Sequence, residues 1–279
     1  MTQRKTFLLL LPAGVLLVVF LAIPYVSVFI SAFRVPGQGT PYGDGYTLAN
    51  FTRILGDWFY LGQAVNTMLI GAVTTLATLV IGLPVAFQLA RPDLKLRGLF
   101  YGIVLSPLLV GIVIRSYGWT ILLGNNGVIN RTLRGWGWID GPLPLMYNTL
   151  GIVIALTHVF LPFMILPIMA AVQGIDPSVA SAARSLGARR PTVIRRVLLP
   201  LAMPGIQSGC ILVFVLALSS YVTPALIGGL RVKTTAVTVV DAMIDTFQWP
   251  FGAALALTLS VLGGASVLIF ARLTRMKWK

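Results

Sequence analysis

The side chains that could do chemistry are few in this sequence, and their types exclude most enzymatic sites. There is one histidine, His158, and one cysteine, Cys210, while all seven acidic residues are aspartates. A single histidine excludes the paired-histidine motifs that hold catalytic zinc. A single cysteine cannot form a disulfide within the chain, and its apolar surroundings suit a buried small hydrophobe. We therefore expect no catalytic residue and no metal site.

The common nucleotide-binding motif is also missing from the sequence. No Gly-x-x-x-x-Gly-Lys-Ser/Thr phosphate-binding loop occurs, and that motif cradles the phosphates of ATP in a large class of nucleotide-binding proteins. We expect no cofactor in this chain and no enzymatic activity of its own. If the chain depends on ATP, a separate subunit must bind the nucleotide and its Mg²⁺.

The composition is that of a protein embedded in a membrane. Hydrophobic residues make up 57% of the 279 positions and charged residues 10%, whereas soluble domains carry about 25% charged residues. A formal net charge of +14 would suit a nucleic-acid-binding protein. Here the positive residues lie between apolar segments, so a membrane explains them better. We expect membrane lipid, and not nucleic acid, as a partner.

Six apolar stretches are long enough to cross the bilayer, because about 20 apolar residues in a helix span its roughly 30 Å hydrocarbon core. The first stretch is too long for the apolar core of a cleaved signal peptide. The predicted spans are residues 7–33, 64–90, 99–123, 148–172, 206–227 and 251–273. The sequence therefore predicts an all-α membrane protein with six transmembrane helices in a single domain, residues 1–279.

The distribution of lysine and arginine predicts the orientation of these spans. Fourteen of the 21 lie in the two terminal tails and in residues 91–97 and 176–205, whereas six lie in the other three loops. The remaining one, Arg115, lies within the third span. Because cytoplasmic loops are enriched in positive residues, both termini and residues 176–205 are predicted to be cytoplasmic.

Residues 176–205, between the fourth and fifth spans, predict a helix–glycine–helix unit. Asp176 can accept a hydrogen bond at a helix start, and Pro177 suits the first helical position. Gly187 suits the left-handed residue that ends many helices. A second short helix is expected from Arg190 to Pro200. On composition alone, the unit could equally be a basic hairpin that binds lipid headgroups.

The spacing within this unit resembles the EAA motif of permease subunits of binding-protein-dependent ABC importers. That motif reads Glu-Ala-Ala, three residues, Gly, nine residues, Ile, one residue, Leu-Pro. The matching residues are Ser181-Ala182-Ala183, Gly187, Val197 and Leu199-Pro200. They precede the penultimate span, which is where the family has the motif.

The resemblance implies a coupling helix that docks in a cleft of a cytoplasmic ATPase subunit. Ser181 replaces the glutamate of the motif, so a salt bridge from that position is lost, and Arg184 or Arg189 could supply polar contact instead. The implied docking residues are Ala180, Ser181, Ala182, Ala183, Arg184, Leu186, Gly187, Ala188 and Arg189. The implied assembly contains an ATPase dimer, a second permease chain, identical or different, and an extracytoplasmic solute-binding protein.

Longer strings resemble the spermidine/putrescine-type branch of this family. They are residues 113–119 with 122–124 and 126–130, residues 161–163, and residues 221–229. The resemblance implies a permease of the bacterial inner membrane that forms half of the path for a small solute, polyamine-like or another small organic molecule. The branch often has an acid just before the last string, where this chain has Ser220. A cationic solute is less strongly indicated for that reason.

Residues within these strings are candidates for the translocation path. They are Arg115, Tyr117, Trp119, Tyr221 and Thr223. A charge inside a span costs about 2.5–3.5 kcal/mol on insertion scales, so the arginine either faces a polar cavity or ion partner, or snorkels to the headgroups. The aromatic rings either receive a cationic amine or serve as packing. His158 is expected to be hydrogen-bonded in the core rather than to relay protons.

Two aspartates, Asp241 and Asp245, are candidates on the outer side. Their spacing of four places both on one face of a helix, where they could receive a cation or the binding protein, or simply be solvated. A rival function is a secondary transporter or channel that works alone. Such a protein needs an ion-coupling site, and no predicted span contains an acid.

Overall fold

The computed structural model describes residues 11–12, 14–37, 40–91 and 93–274, which are almost entirely helical. In this part of the chain the β pairing is confined to an isolated antiparallel bridge between Arg34 and Tyr46. The helices are α1 Gly14–Ala32, α2 Ala49–Gly56, α3 Trp58–Leu89, α4 Arg97–Leu109, α5 Ile112–Leu123, α6 Val128–Gly135, α7 Thr149–Gln173, α8 Pro177–Ser185, α9 Arg190–Leu201, α10 Met203–Ser219, α11 Val222–Gly228, α12 Thr235–Val240 and α13 Trp249–Thr274. The prediction of an all-α protein is confirmed.

Four of these helices, α1, α3, α7 and α13, are long and apolar enough to cross a membrane. Two further stretches qualify only as bent pairs. The chain turns by 99° between α4 and the segment Ile112–Gly135, and by 66° between α9 and α10. The described residues therefore contain four to six candidate spans.

The bounds of the long helices α7 and α13 agree closely with those of the predicted spans 148–172 and 251–273. Asn148 caps α7, because its side-chain oxygen accepts the Gly151 N–H at 2.8 Å. The helix α3 begins at Trp58, earlier than the predicted residue 64. The predicted start of the first span, at residue 7, lies outside the described residues.

Two of the predicted spans are not continuous helices, so the prediction is wrong there. The span 99–123 breaks at Val110, which adopts an extended backbone (φ −98°, ψ 132°) before Gly111 starts α5. The span 206–227 stops at Ser219, and Ser220 is extended. Pro224 explains the second break, since its ring would clash with the carbonyl of Ser220 four residues earlier. Both sides of each break are apolar, which is why hydropathy merges them.

The second helix of the loop between α7 and α10 also extends further than predicted. Its start at Arg190 is confirmed, but it continues past Pro200 to Leu201. A wider π-helical turn, Ile194–Leu198, comes just before Leu199 and Pro200. Pro200 has no N–H to donate, and the wider turn accommodates this gap in the helical hydrogen bonds. The bend falls instead at Ala202, where Pro204 would clash with the carbonyl of Pro200.

The chain divides into two compact units. The smaller comprises Met1–Gly62 with Thr238–Leu262, and the larger comprises Gln63–Val237 with Gly263–Lys279. In the smaller unit the Asn50 amide is buried and donates to the carbonyls of Ala32 and Arg34, each at 3.0 Å. These bonds tie α2 to the end of α1.

The larger unit is built around α7. This helix contacts α4, α5, α10 and α11, and 67% of its most apolar stretch is buried, against 28% or less for α1, α3 and α13. Its side chains Ile152, Leu156, Met164, Ile165 and Ile168 are fully buried. An all-round apolar helix of this kind is typical of the centre of a bundle.

The helix α10 approaches α7 closely at two glycines one turn apart. A Cβ at Gly205 would lie 2.5 Å from the carbonyl oxygen of Pro167, and one at Gly209 would lie 2.9 Å from the sulfur of Met164. On α3, a Cβ at Gly82 would lie 3.1 Å from Cγ of the same methionine. Small residues at this spacing let membrane helices pack backbone to side chain.

We predict that Gly205→Leu destabilises the protein by about 1–3 kcal/mol, because overpacking forces α10 away from α7. Thermal unfolding of the purified chain in detergent measures the loss. Gly264→Leu on α13 is the matched control, since a Cβ there has nothing within 4 Å. Equal melting temperatures for the two variants would contradict the packing role.

Candidate functional site

The helix α8 begins and ends as the sequence predicts. The Asp176 carboxylate accepts the N–H of Ser178 at 2.8 Å, and Pro177 occupies the first turn. At the other end Gly187 has φ +83°, a left-handed conformation that glycine adopts without steric cost. The N–H of Ala188 donates to the Ala183 carbonyl at 3.1 Å, which completes a capped helix end.

The cap affects the ionisation of Asp176. Its hydrogen bonds from the backbone N–H and the side chain of Ser178 hold the pKa of the carboxyl below its usual value, because they favour the charged form. The capping contribution to stability is therefore present above the ordinary carboxyl pKa and is lost as pH falls through the lowered one.

The surface of α8 and of the turn that follows it is exposed. No residue of α8 is buried, and the Leu186 side chain is 89% exposed. The guanidinium of Arg184 donates to the Ser181 hydroxyl at 3.2 Å, so the serine that replaces the motif's glutamate is hydrogen-bonded within the helix. The structure thus brings the predicted docking residues, from Ala180 to Arg189, into one solvent-facing unit that packs on α9.

A second cluster lies between α5 and α7. The indole N–H of Trp119 donates to Nδ1 of His158 at 3.2 Å, and the two rings meet edge-on at 5.5 Å. Because Nδ1 accepts, the proton of the neutral imidazole lies on Nε2. The hydrogen bond predicted for His158 is present, but the predicted core position is wrong, since the side chain is exposed.

The exposure of His158 follows from the rotation of α7. Leu150, Ile154, His158 and Leu161 recur at helical spacing and are exposed or half-buried, whereas Thr157 and Val159 are buried. Trp119 of α5 contacts His158 on this stripe, and Ile154 and Leu161 pack against the core, so neighbouring helices of the described chain cover the stripe only in part. A solute path or a partner subunit could lie along this stripe.

Arg115 lies on α5 within electrostatic range of His158. Its side chain is half-buried, and its Nε and Nη1 atoms are buried without a hydrogen-bond partner among the described residues. Buried donors without acceptors are costly, and a snorkelling arginine would instead present its nitrogens to water or headgroups. The place of Arg115 on the translocation path stays a prediction.

The other path candidates differ in exposure. Tyr117 and Tyr221 are 56% and 39% exposed, and Trp119 is half-buried. Thr223 is fully buried, and its hydroxyl is 2.9 Å from that of Ser116. The structure thus places Thr223 in the contact between α5 and α11. It adds Ser116, a buried partner that sequence reasoning missed.

The aspartates Asp241 and Asp245 belong to a π-helical turn in the smaller unit. Asp245 is exposed and Asp241 half-buried. Their role on the outer side stays a prediction.

A further residue that sequence reasoning missed is Asn130. Its amide is fully buried and donates to the carbonyls of Gly124 at 3.1 Å and Leu143 at 3.0 Å, while its oxygen accepts the Leu143 N–H at 2.8 Å. These bonds fix the loop that follows α6. The sequence did offer a signal for this role, since Asn130 is a polar residue at the end of the motif string 126–130.

Comparison with known proteins identifies the class. The family described as "Binding-protein-dependent transport system inner membrane component" matches residues 51–277. Two solved structures share the fold. A bacterial ABC transporter for alginate import has a TM-score of 0.73 at 17% identity over 99% of this chain and 96% of its own. The MetNI methionine ABC transporter gives 0.62 at 20% identity, over 78% and 95%.

The chain therefore belongs to the family of inner-membrane components of binding-protein-dependent transport systems, multi-pass permeases of ABC importers. It is similar to the spermidine/putrescine transport system permease protein PotB of Escherichia coli strain K12, with 32% identity over 93% of this chain and 94% of the relative. The corresponding protein of Haemophilus influenzae is 30% identical, with 93% and 91% covered. The family and branch predicted from the motif strings are confirmed.

We predict that Ser116 and Thr223 stabilise the contact of α5 with α11 jointly. Ser116→Ala and Thr223→Val should each lower the free energy of unfolding by about 1–2 kcal/mol. The free energy of unfolding lost in the double variant should be smaller than the sum of the two single losses. The difference, which is the coupling energy of the two hydroxyls, should be about 0.6–1.7 kcal/mol. Unfolding by sodium dodecyl sulfate titration measures all three.

Ser106→Ala is the control for this cycle, since the Ser106 hydroxyl is exposed and bonds only to the carbonyl of Ile103 in its own helix. Strictly additive losses in the double variant would show that the two hydroxyls do not act together.

Proposed function

We propose that this chain forms half of the translocation path of an ABC importer and receives its driving force through α8. The single observation that carries the proposal is the exposed helix α8, capped at both ends and lying on the EAA spacing. Its small side chains and the exposed Leu186 offer a surface that a cleft of an ATPase subunit could enclose. ATP and Mg²⁺ would be bound by that subunit.

The proposed orientation places both termini and α8 in the cytoplasm, with six spans. The support is the excess of arginine and lysine in residues 91–97, in the segment 176–205 and in the tails. Six spans require that each bent pair, α4 with α5 and α9 with α10, crosses the membrane as one unit. On this proposal the chain is a single functional domain.

The proposed assembly has a second permease chain, an ATPase dimer and an external solute-binding protein. One of the similar solved structures is an alginate ABC transporter in complex with a ligand-bound periplasmic protein, which supports the last of these partners. The partly covered stripe of α7, and the Nε and Nη1 atoms of Arg115, which have no hydrogen-bond partner among the described residues, support a partner or solute against that face. Asp241 and Asp245 are proposed to lie on the outer side.

The proposed solute is a small organic molecule, and the polyamines named for the similar permeases are the first class to test. The described part of this chain offers a polyamine the rings of Tyr117, Trp119 and Tyr221. It offers no carboxylate on α5 or α11, and Ser220, between α10 and α11, is buried. If polyamines are carried, we propose that the carboxylates which neutralise them belong to the binding protein or to the second permease.

We predict that Gly187→Ala uncouples transport. An L-residue at φ +83° costs about 1–2 kcal/mol, which would lower the equilibrium ratio of the docking conformation to other backbone conformations by roughly 5- to 30-fold. Solute-stimulated ATP hydrolysis by the assembled transporter in proteoliposomes should fall by up to this factor, with unchanged membrane insertion.

Gly137→Ala is the matched control, because Gly137 also has a positive φ (+70°) and open space at its Cβ, yet lies after α6 and far in sequence from α8. It should suffer the same local strain without loss of coupling. Equal ATPase activities in the two variants would refute the docking role of α8.

For the solute, we predict saturable uptake of labelled spermidine that unlabelled putrescine inhibits and an amino acid does not. Uptake is measured in cells that lack their own polyamine importers and express the whole transporter. No uptake above that of cells carrying an empty vector would exclude polyamines and leave the permease function standing.

A further inference from the structure

A cavity of about 890 Å³ opens in the larger unit where the apolar helices α3 and α7 end. Its walls come from the last turns of these two helices, the turn between α3 and α4, and the helix α9. Its size lies near the upper end of the range for ligand pockets, about 300–1,000 Å³. None of the path candidates lines it.

The floor and the rim of this cavity differ in chemistry. We call the apolar part of the lining the floor; it includes Leu83, Phe87, Val172, Ile194, Leu198 and Leu199. We call its charged part the rim; it carries the guanidinium groups of Arg91, Arg97 and Arg195, and no acidic residue of the described chain lines the cavity. A long apolar ligand with an anionic end matches this arrangement.

The three arginines are available to an anion to different degrees. Arg97 donates to the Tyr101 hydroxyl at 3.3 Å, and that hydroxyl also accepts from the Gln173 amide at 3.1 Å. Arg91 and Arg195 are exposed, and in the described part of the chain neither has a carboxylate partner. Two unpaired charges therefore lie at the mouth of an apolar cavity.

The position of the cavity in the bilayer distinguishes its possible occupants. Leu83, Phe87 and Val172 lie at the ends of the apolar helices α3 and α7; in the proposed orientation these ends lie at the depth of the hydrocarbon and the arginines at the depth of the headgroups. A cytoplasmic protein reaches the rim but not a floor at that depth. A phospholipid supplies both parts, the acyl chains for the floor and the phosphate for the arginines.

We propose that this cavity binds an anionic phospholipid, with its phosphate at Arg91, Arg97 and Arg195 and the upper acyl chains against Leu83, Phe87 and Leu198. The same cavity is lined by Pro177, the first residue of α8, and by Arg195 of α9. The bound lipid thus contacts the helix–glycine–helix unit directly. This site rests on the proposed membrane orientation of the chain, and not on the docking of α8 to an ATPase.

The test measures lipid binding to the full-length chain in detergent by native mass spectrometry. Dioleoyl phosphatidylglycerol is the probe. Dioleoyl phosphatidylcholine, with the same tails, and glycerol 3-phosphate, with no tails, are the comparison ligands. The expected order of affinity is phosphatidylglycerol above phosphatidylcholine, with glycerol 3-phosphate weakest.

The double variant Arg91→Gln/Arg195→Gln should bind phosphatidylglycerol about 25-fold more weakly, roughly fivefold for each charge removed near the membrane surface. Lys95→Gln/Arg196→Gln is the matched control. It removes the same charge from the same two segments, at exposed residues that do not line the cavity, and should change the affinity by less than about twofold.

A variant of the floor separates a lipid from a free phosphate. Ile194 is 43% exposed, so Ile194→Gln should fold normally, weaken phosphatidylglycerol binding and leave glycerol 3-phosphate binding unchanged. Equal melting temperatures of all variants in detergent check their folding.

Three results would overturn the proposal. The first is unchanged phosphatidylglycerol affinity in the Arg91/Arg195 variant. The second is glycerol 3-phosphate binding as tightly as the lipid, which would indicate a site for free anions. The third is that the Arg91/Arg195 variant retains its lipid affinity but no longer co-purifies with the ATPase subunit of the assembled transporter, which would assign this rim to the protein partner.

Discussion

The close approach of α10 to α7 is the constraint on which the larger unit depends. In a membrane the hydrophobic effect does not drive helices together, so packing must supply the attraction. Gly205 and Gly209 leave room for the backbone and the Met164 side chain of α7, and Gly82 of α3 accepts the same methionine from another direction. With α7 held in this way, its remaining faces receive α4, α5 and α11, and one stripe stays partly open.

That arrangement determines what the candidate site can be. The partly open stripe of α7 carries His158, and α5 is placed so that Trp119 can hydrogen-bond to it and Arg115 can lie nearby. The buried hydroxyl pair of Ser116 and Thr223 fixes the rotation of α5 against α11. This polar face thus lies apart from the small residues, Gly205 and Gly209, that anchor α10 on α7.

Local signals made parts of this structure predictable from the sequence. The helix α8 follows from Asp176-Pro177 at its start and Gly187 at its end, since both caps act within a few residues. The spans α7 and α13 follow from length and hydropathy alone. The broken spans do not, because an apolar run looks the same whether or not Pro224 disrupts the bond to Ser220. Nor could the sequence pair Trp119 with His158, 39 residues away, since that contact depends on how two helices are rotated.

The charged residues near α5, α7 and α11 bear on which partner the chain requires. A permease similar to polyamine transporters would be expected to offer carboxylates to a polycation, yet the described α5, α7 and α11 contain none. The charged group near this face is instead Arg115. The buried Nε and Nη1 of Arg115 have no hydrogen-bond partner in the described part of the chain. An acidic residue of a second permease would satisfy both requirements at once. An identical chain could not supply it from these three helices, since none of them carries an acid.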